Sequence, residues 1–199
     1  MVLVELTSVP ETALPVSDLR DHLRLSTGFE DGGAEDGHLE LCLRSAMATI
    51  EARTGKVVLA RSYRWSVTAW RDLGRQALPV APVSAITALR IVDQGGTATT
   101  ANPATYSLTP DAHRPQLVAR GLVLPSIPIG GTAEIDFDAG YGLEWAGVPA
   151  NIAQAVIHLA AFVYEHRTDP IAGSVSLPAT VTTLIEPYRN IRLFGGGGR

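Results

Sequence analysis

The residues best suited to chemistry are three carboxylates, Glu134, Asp136 and Asp138, spaced two apart in a segment that alternates polar and apolar. On a strand, that period puts all three on one face and turns Ile135, Phe137 and Ala139 to the other, toward a core. Paired carboxylates can hydrolyse glycosides, but catalytic pairs flank a bond from opposite sides. Three on one open face fit a solvated or acidic surface better than a hydrolase site. The five histidines, His22, His38, His113, His158 and His166, offer no stronger set. Only His158 and His166 share a predicted helix, about 12 Å apart along its axis, whereas a zinc pair on one helix wants a spacing of four. Cys42, the single cysteine, sits beside the apolar face of its predicted helix and reads as a buried structural residue. No nucleophile elbow occurs. The glycines at 130–131 and 195–198 neither precede a helix nor carry a P-loop lysine. Nothing in these patterns asks for a catalytic residue, a cofactor or a metal.

The elements that carry these residues follow from periodicity. A short helix is predicted from Ser17 as N-cap to about Leu25, then an acidic, glycine-rich loop over Ser26 to Gly37. A longer helix runs from Asp36 to Thr54, with Leu39, Leu43, Ala46, Met47 and Ile50 at spacings of three and four and Gly55 as its left-handed end. Residues 57–70, 84–93 and 104–109 read as strands, Asp93 to Gly96 as a hairpin turn, and Glu134 to Ala139 as the last strand. Seven prolines between Pro79 and Pro128 favour short antiparallel strands. Helix returns at Pro149, with Ile152, Ala155, Val156, Leu159, Phe162 and Val163 as an apolar stripe to about Arg167. A last helix over Pro178 to Glu186 should stop at Pro187. The expected fold class is α+β: a small helical bundle, helices about 17–54 and 149–186, with an inserted antiparallel β-rich region over about 57–140. One domain spans 1–199, ending in a tail over 187–199.

Composition narrows the function classes. The chain has 199 residues, 46% hydrophobic and 18% charged, so it is not a disordered chain. Of its 16 basic residues one is a lysine, Lys56, and with 20 acids the net charge is −4. That balance does not grip nucleic acid. Residues 1–60 hold ten acids against five bases. No secretory leader is expected, and the most apolar helix is too short to span a bilayer. The tail is unusual: Ile191, Leu193 and Phe194 are apolar, separated by Arg189 and Arg192, and precede four glycines. It can fold onto its own core or dock on a partner. Tyr63 and Trp65 share a strand face and, with Trp70, support an alternative reading as a small ligand- or carbohydrate-binding β-rich module, against plain core packing.

The landmarks occur in a recognisable order. They are Leu19-Arg20-Asp21-His22-Leu23-Arg24-Leu25 and the acidic loop; Ile50-Glu51-Ala52-Arg53-Thr54-Gly55-Lys56-Val57-Val58; Tyr63-Arg64-Trp65; Ala139-Gly140-Tyr141-Gly142; Val148-Pro149; Tyr164-Glu165-His166-Arg167; and Leu177-Pro178 before Pro187-Tyr188-Arg189. In this order the chain resembles the head–tail connector, or adaptor, proteins of long-tailed phages and of gene transfer agents derived from them.

The resemblance implies a structural part and not an enzyme: a subunit of a homo-oligomeric ring, typically a dodecamer, between the portal and a stopper or head-closure protein. It also implies a location at the head–tail interface of a virion or phage-like particle assembled in the bacterial cytoplasm, with no membrane partner. Family members commonly insert C-terminal segments into the portal, which makes Tyr188, Arg189, Ile191, Arg192, Leu193 and Phe194 the expected portal-binding tail. DNA would pass through the ring without specific binding, and acidic walls avoid counterion-release affinity. Some of Glu30, Asp31, Glu35 and Asp36, or the Glu134, Asp136 and Asp138 face, are therefore expected to line the lumen.

Overall fold

A computed structural model describes residues 1–25, 34–166 and 177–189. Among the described residues, four α-helices build one core: α1 (Val16–Leu23), α2 (Ala34–Thr54), α3 (Ala150–Glu165) and α4 (Ala179–Ile185). The apolar stripes meet as their spacing predicts, with Leu19 of α1, Leu39, Leu43 and Ile50 of α2, Ile152 and Val156 of α3, and Val181 and Ile185 of α4 all buried together. The helix ends differ in detail from expectation. Pro15, and not Ser17, occupies the N-cap position of α1, without a side-chain capping bond, and the Ser17 hydroxyl turns to Asp18. Arg24 ends α1 in the left-handed region at φ 54°, one residue before Leu25. Gly55 takes φ 68° after α2, as its position predicts. Pro187 does not push Glu186 out of helical geometry (φ −52°, ψ −44°); the chain tightens into a 3-10 turn over Glu186–Tyr188.

Between α2 and α3 lie seven strands, β2 (Arg61–Val67), β3 (Arg75–Ala77), β4 (Val83–Val92), β5 (Ala98–Thr100), β6 (Tyr106–Thr109), β7 (Gln116–Ala119) and β8 (Thr132–Ala139). An eighth, β1 (Val2–Glu5), comes from the start of the chain, where no strand was expected. One sheet has the order β1-β2-β8-β4-β5 and a smaller one β3-β7-β6, with every pairing antiparallel. The turn at Asp93 to Gly96 joins β4 to β5, with Gly96 at φ 84°. Tyr63, Trp65, Leu89, Leu117, Ile135 and Phe137 form a second core inside this β region.

The two cores are stitched where the chain enters and leaves the β region. Leu59 bridges Gly142 in parallel, and Ala60 N–H donates to the Gly142 carbonyl at 2.8 Å. Gly140 takes φ 135° here, and a Cβ on it would stand 2.7 Å from the Leu59 carbonyl carbon, so the backbones can pass only because this residue is glycine. Arg61 ties the same junction through Glu5 of β1 (2.9 Å) and Glu51 of α2, and Glu51 also accepts from Val58 N–H at 2.8 Å.

Candidate functional site

The strand β8 places Glu134, Asp136 and Asp138 on one face and buries Ile135, Phe137 and Ala139, as alternation requires. The face is not a bare acidic stripe. Its neighbour β2 aligns Ser66, Arg64 and Ser62 opposite the three acids, and Arg90 of β4 aligns with Glu134. Arg64 holds Asp136 through two bonds, Nε to Oδ1 at 2.8 Å and Nη2 to Oδ2 at 3.1 Å, and Arg90 adds Nη2 to Oδ2 at 2.7 Å. Glu134 accepts from Arg90 at 3.3 Å, and Ser62 donates to Asp138 at 2.6 Å. Burial pushes the Asp136 carboxyl up, but the two guanidiniums outweigh it and hold it below the usual carboxylate range. Two arginines thus offset two of the three acids. Ser62, Arg64 and Ser66 share the period-two spacing of the acids they meet, but the spacing alone does not say which strands pair.

Two of the other acids expected at an acidic surface are also engaged. Glu35 accepts from the Tyr164 hydroxyl at 2.9 Å, and Asp36 pairs with Arg20. Glu30 and Asp31 lie outside the described residues.

The aromatic residues do not form a ligand platform. Tyr63 and Trp65 are buried, Tyr63 stacks on Phe137 at 5.8 Å, and the Trp70 indole donates to the Pro125 carbonyl at 2.8 Å. The ligand-binding alternative therefore loses the surface it needed, because their strand face looks into the β core. His158 and His166 are not partners either. His158 meets His22 of α1 edge to face at 5.1 Å, and His166 stacks on Phe162 at 4.1 Å. Cys42 is buried in the helical core, 3.9 Å from His38 Nε2. Among the described residues, no group of three or more His, Cys, Asp or Glu could hold a metal ion, and no helix is long and apolar enough to cross a membrane.

Lys56 is the unexpected interior charge. It is 1% exposed, its ammonium donates to the Ala112 carbonyl, and His113 Nδ1 lies 3.2 Å away. Burial lowers its pKa, with Asp111 acting in opposition.

The tail calls for division at Arg189. Tyr188 is half-buried against the helical core, and its phenol influences Tyr141, whose own pKa is pushed up to about 12, chiefly by burial. Arg189 is exposed and pairs with Glu186 at 3.1 Å. Ile191, Arg192, Leu193 and Phe194 lie outside the described residues.

No protein-family model matches the chain, and no curated protein matches it. Among solved structures, it is similar to a chain in the neck of an empty gene transfer agent (GTA) particle computed with C6 symmetry, at 50% identity and a TM-score of 0.89, covering 98% of this chain and 99% of that one. A chain from the virion of a native GTA particle is 50% identical with a TM-score of 0.86, over the same shares of each chain. A third, in the neck of a native GTA particle computed with C12 symmetry, is 46% identical with a TM-score of 0.85, again over 98% and 99%. Half the residues are shared over essentially the full length of a particle-neck chain, with the same fold, and the protein therefore belongs to the head–tail connector family of gene transfer agent particles.

Proposed function

We propose that this chain is a structural subunit of a particle neck: one connector domain that repeats as a ring between the portal and the stopper, with DNA passing through. The observation that carries the reading is the full-length similarity to chains in GTA necks, two of them from symmetric C6 and C12 assemblies. A structural rather than catalytic role agrees with the candidate acids Asp136, Asp138 and Glu35, which are held by arginines, a serine and a tyrosine. Particle assembly in the bacterial cytoplasm is part of the same proposal.

Two surfaces are assigned within it. The portal-facing element is the tail, with Tyr188 as its anchor on the bundle and Arg189, Ile191, Arg192, Leu193 and Phe194 as the segment that docks. Its apolar residues would supply contact energy and its arginines orientation. The Glu134, Asp136 and Asp138 face is the lumen candidate, in a weaker form than the sequence alone implies. With Arg64 and Arg90 beside it, it carries one excess negative charge, enough to avoid a basic wall that would trap DNA.

The test is co-assembly with the portal. Full-length chain should co-purify with portal protein, and a chain lacking residues 190–199 should fold and fail to bind. Normal portal binding by that truncated chain would overturn the tail assignment.

A further inference from the structure

The five-stranded sheet has two open edges, β1 and β5, and no described strand pairs with the outer side of either. All four residues of β1 are exposed, and Val2, Val4 and Leu6 remain 59%, 46% and 45% accessible. Natural proteins blunt such edges with lysine, proline, bulges or inward charges. Here β1 carries one charge, Glu5, already bound by Arg61, and the first proline comes at Pro10. β5 is Ala98-Thr99-Thr100, exposed throughout and uncharged.

We propose that the outer edge of β1 is a subunit contact, covered by the outer edge of β5 on a second copy of this chain. The inference rests on the ring reading above and names its surface. Strand direction supports the pairing. Every neighbour in the order β1-β2-β8-β4-β5 is antiparallel, so β1 and β5 run the same way. A head-to-tail ring needs two different patches on each copy, whereas β1 against β1 would close a dimer and stop. The two edges of one sheet are such a pair, and they would meet as parallel strands.

The hydrogen-bonding groups match in number. Leu6 N–H donates to the Ser62 carbonyl, so alternation turns Val2, Val4 and Leu6 toward β2 and leaves the backbone groups of Leu3 and Glu5 pointing outward. On β5, Asp93 N–H donates to the Thr97 carbonyl and Ala101 N–H to the Leu89 carbonyl. Residues 97, 99 and 101 therefore face β4, and Ala98 and Thr100 face outward. Two outward positions on each strand make a short contact, well below the area that holds two free proteins together. It belongs to the closed ring, where every copy is held on both sides, and the test belongs in the particle.

Leu3→Cys/Thr100→Cys chain is produced in cells that make the particles, and purified particles are treated with a short bis-maleimide; native Cys42 is buried. A ladder of multimers of this chain is expected from the double variant and from neither single one. Double-variant chain incorporated at wild-type level that stays monomeric overturns the contact. Absence of the wild-type chain from particles would instead overturn the neck reading, so the two failures are distinct. Leu3→Pro removes an outward N–H and leaves the β1–β2 ladder whole. Its circular dichroism and melting should match wild type while incorporation into particles falls about tenfold or more. Should Leu3→Pro misfold, Val4→Lys places a charge beside the same edge and should lower incorporation in the same way. Wild-type incorporation of a folded edge variant counts against the proposal.

Discussion

Arg64 and Asp136 meet across β2 and β8 as a fork on a carboxylate, two parallel bonds at 2.8 and 3.1 Å, with Arg90 closing on the same carboxylate from β4. Three adjacent strands are thereby pinned through one half-buried acid face. Asp136→Asn should cost about 2 kcal/mol at neutral pH, because two guanidiniums lose their shared anion. The pH dependence has a definite sign. The folded carboxyl is held below its unfolded value, so its contribution is present above about pH 4 and is lost as pH falls through the folded pKa. Denaturant unfolding across a pH series should show the gap between wild type and variant closing in acid. A constant gap would show that packing, not charge, is what the substitution removes.

Among the described glycines, Gly140 is the least replaceable. Gly140→Ala combines a left-side φ of 135° with a Cβ driven into the backbone of Leu59 and Ala60. The cost should be about 3 kcal/mol or more. Gly37, where an added Cβ meets nothing within 4 Å, is the control. Gly37→Ala should be neutral or slightly stabilising, since it lies inside α2.

Truncation should reveal where the fold ends and the tail begins. A chain stopping after Arg189 keeps Tyr188 on the helical core and should melt within about 2 °C of the full chain. One stopping after Glu186 loses that packing and should melt about 5 °C lower. Differential scanning calorimetry separates the two.

Tyr141 reports on the same corner. Burial, with Tyr188 adding to it, raises its pKa to about 12. Its neutral form therefore favours the folded state at pH values below the unfolded pKa of about 10, and that contribution fades as pH climbs through the folded pKa. Burial also raises Tyr63 and Tyr106, so tyrosinate absorbance should show several late-ionising phenols in wild type, and Tyr141→Phe should lower that late absorbance by one phenol's share.

Lys56 should behave as a buried stem more than as a charge. Lys56→Met retains the aliphatic length and should cost about 1 kcal/mol, against about 3 kcal/mol for Lys56→Ala, which leaves a void. Equal losses in chemical denaturation would assign the effect to the bonds at Ala112 and His113 instead.

Much of the bundle was legible because spacing alone determines which helix residues face inward: Leu39, Leu43 and Ile50 recur with the helical period and are buried together. The β8 alternation was legible for the same reason. The arginines that offset its acids were not assigned, since Arg64 and Arg90 are 72 and 46 residues from Asp136 and only strand register joins them. The strand β1 was missed because Val2 to Glu5 is too short to show a period, and its structure comes from pairing with β2. His22 and His158 meet only through the packing of α1 on α3, which no local spacing encodes. The N-cap position of α1 lies two residues before Ser17, at Pro15, whose fixed φ suits a helix start and which needs no hydroxyl signal.

The stitch at Leu59 and Gly142 has a consequence for how such a subunit can diversify. Because the β region leaves the bundle and returns to it at adjacent backbone positions, its two ends are closed whatever lies between them. Lengthening, trimming or replacing that region changes the loop-closure entropy only slowly with length. The helices can therefore keep one geometry while turns of the inserted region away from its β1 and β5 edges lengthen or shorten, much as a socket accepts different fittings.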